Sequence, residues 1–345
     1  MDPELEYPFP TAPDHGTTVE IADGVRWLRM PLPYSLDHIN LWALRDGSAW
    51  TLVDTGVRSR KVQALWEQIF TDGLDGLPVR RLIVTHFHPD HAGLAGWLCE
   101  RLGIELWMPR TEWLFARMLT MDAPDDVPED VLAFYQRAGF DATMLEMMRA
   151  AGYGHYRKRV SPLPTSYRRI QDGDRLQIDC RAWQIIVGTG HSPEHACLYC
   201  PELELMIGGD QVLAKISPHI GVYPSEPEAD PLGDYLDSLP RFYELPADTL
   251  VLPSHILPYR GLHRRLDSLS RHHDERLARL RRACAEPRTA AELVPMLFDR
   301  ELNPMDFYMA TAETLSHLNH SRTTGDIERI RDPERSDVYR LVPTA

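Results

Sequence analysis

The spacing of apolar and polar residues predicts alternating strands and helices through the first hundred residues. Two β-rich stretches, 25–33 and 38–56, contain turns, and the Arg45-Asp46-Gly47 turn lies between two apolar runs as in a hairpin. The apolar residues of 59–71 and of 92–103 have helical spacing. Residues 80–86 are typical of a buried parallel strand, and a short strand is predicted at 104–109. This order predicts an α/β fold, a sandwich with mixed sheets.

Residues 110–160 interrupt that alternation with a helical pattern rich in aromatic and methionine side chains. Six of the 12 methionines fall between Met108 and Met148. We interpret the stretch as an inserted helical lid, whose methionines either line a pocket for a flexible apolar group or form the lid's own small core. Strands are predicted again within 175–208, and a helix near 231–244 and a strand at 249–255 complete the large domain.

The C-terminal part of the chain has a different character. A long arginine-rich helix is predicted at 260–284, followed by two shorter helical patterns and two β-like pieces. Helix, helix and hairpin is the order of a small winged-helix module. We therefore divide the chain into a loose N-terminal tail (1–16), a large domain that contains the insertion (17–265), and a linking helix with the winged-helix-like module (266–345).

Composition places the chain among soluble globular proteins. The 345 residues are 43% hydrophobic and 26% charged, and 51 acidic against 37 basic residues give a formal charge of -14. This charge disfavours a dedicated nucleic-acid binder, and no apolar run has the roughly 20 residues that span a bilayer. The acidic, proline-rich start does not resemble a secretory signal, and the five scattered cysteines form no disulfide framework, so we expect a cytoplasmic protein.

Residues 85–91 read Thr-His-Phe-His-Pro-Asp-His and stand at the end of a predicted buried strand. Four of these side chains carry metal-binding donors: His86, His88, Asp90 and His91. Imidazole and carboxylate are donors that Zn²⁺ prefers, and iron or manganese accept similar sets. Three more candidate ligands, His191, Asp210 and His255, each follow another predicted strand end, where the loops of a sandwich gather at one edge. The pattern predicts a metal site.

The order of these motifs resembles that of the metallo-β-lactamase-fold hydrolases, a superfamily that includes glyoxalase II, RNase Z-type nucleases and quorum-signal lactonases. The matching strings are LVDTG at 52–56, THFHPDH at 85–91, GHSPEH at 190–195, GGD at 208–210 and SH at 254–255. The resemblance covers residues 20–265 and implies an αββα sandwich. The tail is similar to the winged-helix extension of the β-lactamase-like-2 branch.

The resemblance also implies a two-metal centre. It assigns His86, His88 and His191 to the first ion and Asp90, His91 and His255 to the second, with Asp210 bridging both. A hydroxide shared by the two ions would be the nucleophile, with Asp90 and Asp210 as the carboxylates at the reacting centre. The Asp90-His91 pair is the hydrolase pattern, whereas the diiron flavoproteins of this fold place Glu and Asp around this string, so redox chemistry is the less favoured alternative.

Two further side chains are implied to support the ligands. Asp54 would orient a ligand histidine through its other ring nitrogen, unless it only stabilises its own turn. His195 would either support the ligands or pack beneath Pro193.

Candidate substrate contacts follow from position in the chain. Lys215, His219 and Tyr223 lie in a predicted loop after Asp210 and could meet the polar end of a substrate. His263 could face the site or cap a helix. The arginine-rich helix either binds phosphates or forms a solvated face with ion pairs.

From these features we expect a hydrolase with two divalent ions, zinc first and iron or manganese as alternatives. Its expected substrate is a small thioester or ester with an apolar acyl part, of the acyl-CoA or glutathione-thioester type. A phosphodiesterase or endoribonuclease of the β-lactamase-like-2 type, a lactonase and a non-enzymatic winged-helix sensor are the alternatives. The nearly uncharged helix predicted at 304–320 argues against DNA binding and indicates a structural or dimerising tail, with a homodimer left open. We expect no nucleic-acid or membrane partner.

Overall fold

The computed structural model describes residues 5–34, 36–121, 124–331 and 336–342. The chain folds into two compact units, each assembled from several segments. The first unit comprises residues 1–123, 154–218 and 239–266, and the second comprises residues 124–153, 219–238 and 267–345.

The first unit is built around a seven-stranded and a five-stranded β-sheet. The larger sheet has the order β1 to β7, which are Thr18–Ala22, Val25–Pro31, His38–Asp46, Ala49–Val53, Val79–Ile83, Glu105–Met108 and Arg168–Arg169. The smaller sheet has the order β12-β11-β10-β9-β8, where β8 to β12 are Arg175–Ile178, Arg181–Gly188, His195–Cys200, Leu205–Gly209 and Leu250–Pro253. Strands β1 to β4 pair antiparallel, β4 to β7 pair parallel, and β11 pairs parallel with β12. The prediction of an α/β fold with mixed sheets is confirmed.

Helices make up most of the remaining regular structure. In chain order they are α1 Arg60–Gln68, α2 Pro89–Ala92, α3 Ala95–Leu102, α4 Arg110–Met121, α5 Glu129–Arg137, α6 Ala142–Ala151, α7 His155–Arg159, α8 Pro231–Ser238, α9 Leu262–Ala283, α10 Ala290–Leu297 and α11 Pro304–Thr323. Local sequence explains some of their ends. The Ser59 side chain accepts a hydrogen bond from the Val62 N–H at the start of α1, and Gly103, with a φ of 66°, ends α3. Among the described residues, no helix combines the length and apolar character that a membrane crossing requires.

Neighbouring positions of the central strands face two different apolar layers. Leu82 of β5 packs in a cluster with Trp66 of α1, whereas the next residue, Ile83, packs in a second cluster with Ile185 and Leu198 of the smaller sheet. Successive side chains of a strand point to opposite faces, so a strand covered on both faces shows a continuous apolar run. This burial explains the apolar run that precedes the histidine motif.

The hairpin between β3 and β4 turns at Gly47-Ser48, one residue beyond the centre of the predicted turn. Gly47 has a φ of 65°, a conformation that glycine adopts readily because it has no Cβ. The hairpin was therefore predicted correctly, with a small shift in the position of its turn.

Residues 5–16, predicted as part of a loose tail, contact the first unit at several positions, and residues 1–4 lie outside the described residues. Leu5 is buried, and Glu6 and Arg260 exchange two backbone hydrogen bonds of 2.8 and 3.3 Å. Phe9 packs against the apolar layer between the sheets. Isolated apolar residues in a proline-rich stretch have no periodicity, so sequence alone does not reveal these contacts.

The second unit combines helices with a small hairpin. Strands β13 (Ile327–Ile330) and β14 (Val338–Leu341) pair antiparallel after α10 and α11, in the predicted order of helix, helix and hairpin. Every residue of α11 from 310 to 319 is buried. The low charge of this helix therefore reflects its place in the interior.

The predicted insertion, residues 110–160, consists of helices α4 to α7 and divides between the two units. Residues 110–121 and 154–160 belong to the first unit and 124–153 to the second, while 122 and 123 lie outside the described residues. Met144 and Met148 pack in a core cluster of the second unit that includes Tyr135. For these two methionines, the structure agrees with the alternative in which the helices form their own core.

Three arginines of α9 form ion pairs with carboxylates inside the second unit. The pairs are Arg276–Glu313, Arg279–Asp299 and Arg281–Asp326. The partners lie outside α9, so these arginines connect the helix to other segments instead of forming the predicted ion pairs within one helix face.

Candidate metal centre

Four strands of the first unit end directly before the segments that carry the predicted ligands. β5 leads into residues 85–91, β9 into His191, β11 into Asp210 and β12 into His255. Because α2 begins at Pro89, Asp90 and His91 lie in the first turn of a short helix. The sheets thus bring together all seven side chains that the sequence predicts as metal ligands, in two adjacent groups.

The first group contains three histidines and one carboxylate. The His86 Nε2 atom lies 3.0 Å from Nδ1 of His88 and 3.2 Å from Nε2 of His191. One carboxylate oxygen of Asp210, Oδ2, lies 3.4 Å from Nε2 of His191. These ligand atoms all lie within 4.8 Å of one another.

The second group contains Asp90, His91 and His255. The Asp90 Oδ2 atom lies 3.5 Å from Nε2 of His255 and 3.8 Å from Nε2 of His91. The other oxygen of Asp210, Oδ1, lies 3.4 Å from Nε2 of His255 and 3.5 Å from Nε2 of His91. Asp210 therefore directs one oxygen toward each group, the position expected of a bridging carboxylate.

The charges of the two groups differ. Burial, followed by repulsion from neighbouring histidines, lowers the pKa of His86 and His88 well below the ordinary value, so both imidazoles are neutral and offer lone pairs. Burial also acts to lower the pKa of His255, but the Asp210 and Asp90 carboxylates outweigh it and raise this pKa to about 10. The carboxylates of Asp90 and Asp210 therefore stabilise a positive charge at the second group, either a proton or a cation.

Two buried ligand atoms lack a hydrogen-bond partner among the described residues, His91 Nε2 and Asp210 Oδ1. Buried polar atoms are normally paired, and an unpaired one carries a desolvation cost of about 1–3 kcal/mol. The two atoms lie 3.5 Å apart beside the second group, and each is a suitable donor to a divalent cation. The side chains present therefore fit the metal ions that the sequence predicts.

Asp54 holds His91 from the side opposite its ligand nitrogen. The Asp54 Oδ2 atom lies 2.8 Å from Nδ1 of His91, and the same carboxylate accepts hydrogen bonds from the N–H and hydroxyl of Thr85. Asp54 itself follows β4 with a φ of 63°. A hydrogen bond to Nδ1 fixes the tautomer that leaves Nε2 available for metal. Asp54 thus lies in the supporting position, one of its two predicted alternatives.

His195 contacts the backbone of Asp210, the candidate bridging residue. The His195 Nε2 atom accepts a hydrogen bond of 3.1 Å from the Asp210 N–H, and its ring lies 4.7 Å from the ring of His86. A Cβ atom at Gly209 would lie 2.4 Å from this ring. Glycine at 209 therefore allows the close approach, and His195 lies in the supporting position that was one of its two predicted alternatives.

His255 is positioned by His38, which the sequence did not single out. The His255 Nδ1 atom lies 2.8 Å from the His38 carbonyl oxygen, and the His38 Nε2 atom accepts a hydrogen bond of 2.9 Å from the Ile256 N–H. Burial lowers the pKa of His38 to about 4, so its ring is neutral, and Nδ1 donates to Asp37 at 2.6 Å. Ile256 has a φ of 72°, a strained value for a β-branched residue.

Glu112 of α4 is a second buried residue that sequence reasoning missed. Its carboxylate accepts hydrogen bonds from Phe87, Ser192 and Glu194, which lie in the two segments that carry the three histidines of the first group. The only sequence signal was its position, four residues after the buried Met108 and four before the buried Ala116.

The predicted substrate-contacting residues lie in several environments. Lys215 is exposed in the first unit, whereas His219 and Tyr223 belong to the second unit, where His219 Nε2 lies 2.8 Å from the Tyr223 hydroxyl. His263 lies inside α9, and its Nε2 lies 2.8 Å from the Leu245 carbonyl oxygen, so it connects the helix to the preceding segment. Their roles in substrate binding stay predictions.

A family model described as the metallo-beta-lactamase superfamily matches residues 34–255, nearly two thirds of the chain. The chain belongs to the metallo-beta-lactamase superfamily. A second model, described as the metallo-beta-lactamase-like C-terminal domain, matches residues 277–343. Both matches confirm the resemblance drawn from the sequence motifs.

Relatives in this superfamily cover nearly the whole chain. A probable metallo-hydrolase, YqjP of Bacillus subtilis (strain 168), is 25% identical over 305 residues, which are 85% of this chain and 90% of the relative. The crystal structure of a beta-lactamase domain protein from Burkholderia ambifaria has a TM-score of 0.92 with 43% identity, covering 98% of both chains. That of a metallo-beta-lactamase family protein from Thermus thermophilus, TTHA1429, has a TM-score of 0.79 with 28% identity, covering 94% of this chain and 100% of the other. Membership of this superfamily supports a metal-dependent hydrolase.

Proposed function

We propose that this superfamily member is a dinuclear metallohydrolase that cleaves a small thioester or ester with an apolar acyl part, of the acyl-CoA or acyl-glutathione type. One observation carries the proposal of two ions. The two oxygens of Asp210 face two separate groups of ligands, at 3.4 Å from His191 Nε2 and 3.4 Å from His255 Nε2.

The proposed ligands divide as the sequence indicated. His86, His88 and His191 would hold one ion and Asp90, His91 and His255 the other, with Asp210 shared. Imidazole and carboxylate donors favour zinc, and iron and manganese are the alternatives. Two such ions supply an activated water as nucleophile and a Lewis acid for the carbonyl oxygen.

The protein's own residues keep this arrangement rigid. Asp54 and Thr85 fix the orientation of His91, the His38 carbonyl oxygen fixes His255, and the His195 ring holds the backbone of Asp210. Contacts of this kind hold the ligand atoms in place before substrate arrives, which removes a reorganisation cost from the reaction.

An aromatic cluster beside His88 supports an apolar acyl group as part of the substrate. The Phe87 ring lies 4.6 Å from the His88 ring, 5.5 Å from Phe115 and 6.3 Å from Tyr156. All three aromatic side chains are half-buried, so part of each ring stays accessible. An apolar surface next to metal ligands suits the acyl chain of a substrate whose carbonyl is polarised at the centre.

Steady-state hydrolysis assays test this proposal. The full chain, stripped of metal and reconstituted with Zn²⁺, is offered acyl-CoA, acyl-glutathione and lactone series of increasing acyl length, together with single-stranded RNA. We expect thioester or ester turnover that rises with acyl length and that falls by at least about a hundredfold in Asp210→Ala. Phe115→Ala should raise KM for the longer acyl chains more than for acetyl.

Other outcomes would contradict the proposal. RNA cleavage that requires Asp210, without thioester or ester turnover, would replace the proposed substrate class by the nuclease alternative. Selective turnover of lactones would favour the lactonase alternative. Thioester turnover that persists in Asp210→Ala would indicate a contaminating enzyme and would remove the support for the proposed centre.

A further inference from the structure

A single buried carboxylate connects the two segments that supply the three histidines of the first group. Glu112 has 0% exposure. Its Oε2 accepts a hydrogen bond of 2.9 Å from the Phe87 N–H, and its Oε1 accepts hydrogen bonds of 2.6 Å from the Glu194 N–H and 2.8 Å from the Ser192 hydroxyl. Both oxygens of Glu112 are therefore engaged, each by a different segment.

The partners of Glu112 are next to predicted ligands in the chain. Phe87 stands between His86 and His88, and Ser192 directly follows His191. Displacement of either segment therefore shifts a histidine of the first group. None of these three hydrogen bonds of Glu112 reaches the segment that follows β12, which carries His255.

Two further contacts strengthen the connection. The Tyr156 hydroxyl donates a hydrogen bond of 2.5 Å to the Phe87 carbonyl oxygen, so both backbone polar groups of Phe87 are bound by side chains of the predicted insertion. In the opposite direction, Oε2 of Glu194 accepts a hydrogen bond of 2.6 Å from the Thr111 N–H. The start of α4 and the segment after β9 thus each accept hydrogen bonds from the other through a glutamate side chain.

We propose that Glu112 is a positioning residue that sets the relative placement of these two segments and thereby the affinity and geometry of the three-histidine metal position. This inference rests on the proposed metal centre. Within the described part of the chain, Glu112 acts through backbone N–H groups and a hydroxyl group that neighbour the predicted ligands in sequence. Outer contacts of metal ligands change metal affinity by about 10–100-fold when they are lost.

The chain offers a matched pair of substitutions. Glu112→Gln replaces one of two accepting oxygens by an NH₂ group, which then opposes an N–H donor and leaves that donor without an acceptor. Glu194→Gln likewise replaces a carboxyl group by an amide in the same cluster, but Glu194 accepts through a single oxygen, so the amide can keep the bond to Thr111. Comparison of the two variants distinguishes the loss of the hydrogen bonds between the two segments from the loss of a carboxyl group.

The experiment is a Co²⁺ titration of the metal-free full chain, followed by visible absorption and by thermal unfolding. For wild type we expect two Co²⁺ ions with distinct bands. In Glu112→Gln the affinity of one position should fall by about tenfold and its band should change, while the loss at the other position should be clearly smaller. Glu194→Gln should titrate like wild type. Ser192→Ala removes only one of the three donors and should give a smaller loss at the same position, which keeps the test valid if Glu112→Gln does not fold.

Each contrary result has a distinct meaning. Normal Co²⁺ uptake by wild type together with an identical titration of folded Glu112→Gln or Ser192→Ala would overturn the inference alone. Equal losses in Glu112→Gln and Glu194→Gln, or equal losses at both metal positions, would also overturn it, because charge or general destabilisation would then be the cause. A wild-type chain that takes up no Co²⁺ would overturn the proposed metal centre and this inference with it.

Discussion

The Asp54 carboxylate and the His91 ring are joined by a contact of 2.8 Å between Oδ2 and Nδ1, and both side chains are almost fully buried. Nε2 on the other side of the same ring faces Asp90 and Asp210. A residue at the end of β4 thus controls the orientation of a candidate ligand that lies 37 positions later in the chain.

Substitution of Asp54 by alanine should weaken metal binding at the group formed by Asp90, His91 and His255. Without the Asp54 carboxylate, the His91 ring is free to rotate and its tautomer is no longer fixed. The expected fall in metal affinity is about 10–100-fold. Competition with a chromophoric chelator measures it. Asp46→Asn is the control, since Asp46 is also a buried carboxylate, bound to Arg81 at 2.6 Å on another part of the first unit. Asp46→Asn should lower the stability of the protein and leave its metal affinity unchanged. Equal metal affinity in Asp54→Ala and in wild type would contradict the prediction.

His38→Ala should destabilise the segment that carries His255. The substitution removes the acceptor of the Ile256 N–H, and an unsatisfied backbone donor costs about 1–3 kcal/mol. Urea denaturation of the metal-free chain measures the loss. Ile256→Gly relieves the left-handed strain, worth about 1–2 kcal/mol for a residue with a Cβ.

The two substitutions form a double-mutant cycle. If His38 holds Ile256 in its strained conformation, relaxation of that strain offsets part of the cost of His38→Ala in wild type, so His38→Ala should cost more in the Ile256→Gly background. Asp37→Asn, which keeps an acceptor for the His38 ring, should have a small effect. Additive effects of His38→Ala and Ile256→Gly would show that the two residues act independently.

Gly96→Ala should destabilise the first unit although alanine is the better helix former. A Cβ at this position in α3 would lie 1.8 Å from the Pro162 carbonyl oxygen. The backbone must move to admit it, and overpacking of this kind costs about 1–3 kcal/mol. Thermal unfolding measures the effect. Glu100→Ala, an exposed change in the same helix, should stay within about 0.5 kcal/mol of wild type, and an equal effect of both changes would contradict the role of Gly96.

His320 should stabilise the second unit more at low pH than at high pH. Its hydrogen bond with Asp230 raises the pKa of His320, against the opposing effect of burial. A raised folded-state pKa gives a contribution that is complete below the ordinary pKa of 6.5 and that disappears as the pH rises through the folded-state value. The difference in free energy of unfolding between wild type and His320→Gln should therefore be larger at about pH 6 than at about pH 9. In the Asp230→Asn background, the same comparison should show little pH dependence.

The candidate metal ligands were predictable because their sequence pattern coincides with a structural one. A continuous apolar run followed by His86, His88, Asp90 and His91 marks both the end of a buried strand and a set of donors. The superfamily motifs then supplied the distant ligands. The structure brings all seven together, and the division into two groups matches the assignment that the resemblance implied.

The supporting residues were less visible for physical reasons. Glu112 is charged and lies in a helix, and such residues face solvent unless tertiary contacts supply buried donors. His38 acts partly through its backbone carbonyl, which carries no sequence signal, and the positive φ of Ile256 is set by its surroundings. Residues 5–16 lack periodicity for the same reason, since their few apolar side chains are placed by the surface they meet.

Both backbone groups of Phe87 are anchored by the side chains of Glu112 and Tyr156. This has a consequence for protein engineering by loop grafting. A graft that replaces all of residues 110–160 would remove both hydrogen bonds that hold the Phe87 backbone in the histidine motif. A graft confined to the stretch between the anchors, 113–155, keeps both side chains, provided that it also preserves buried core positions of the second unit such as Leu132 and Tyr135.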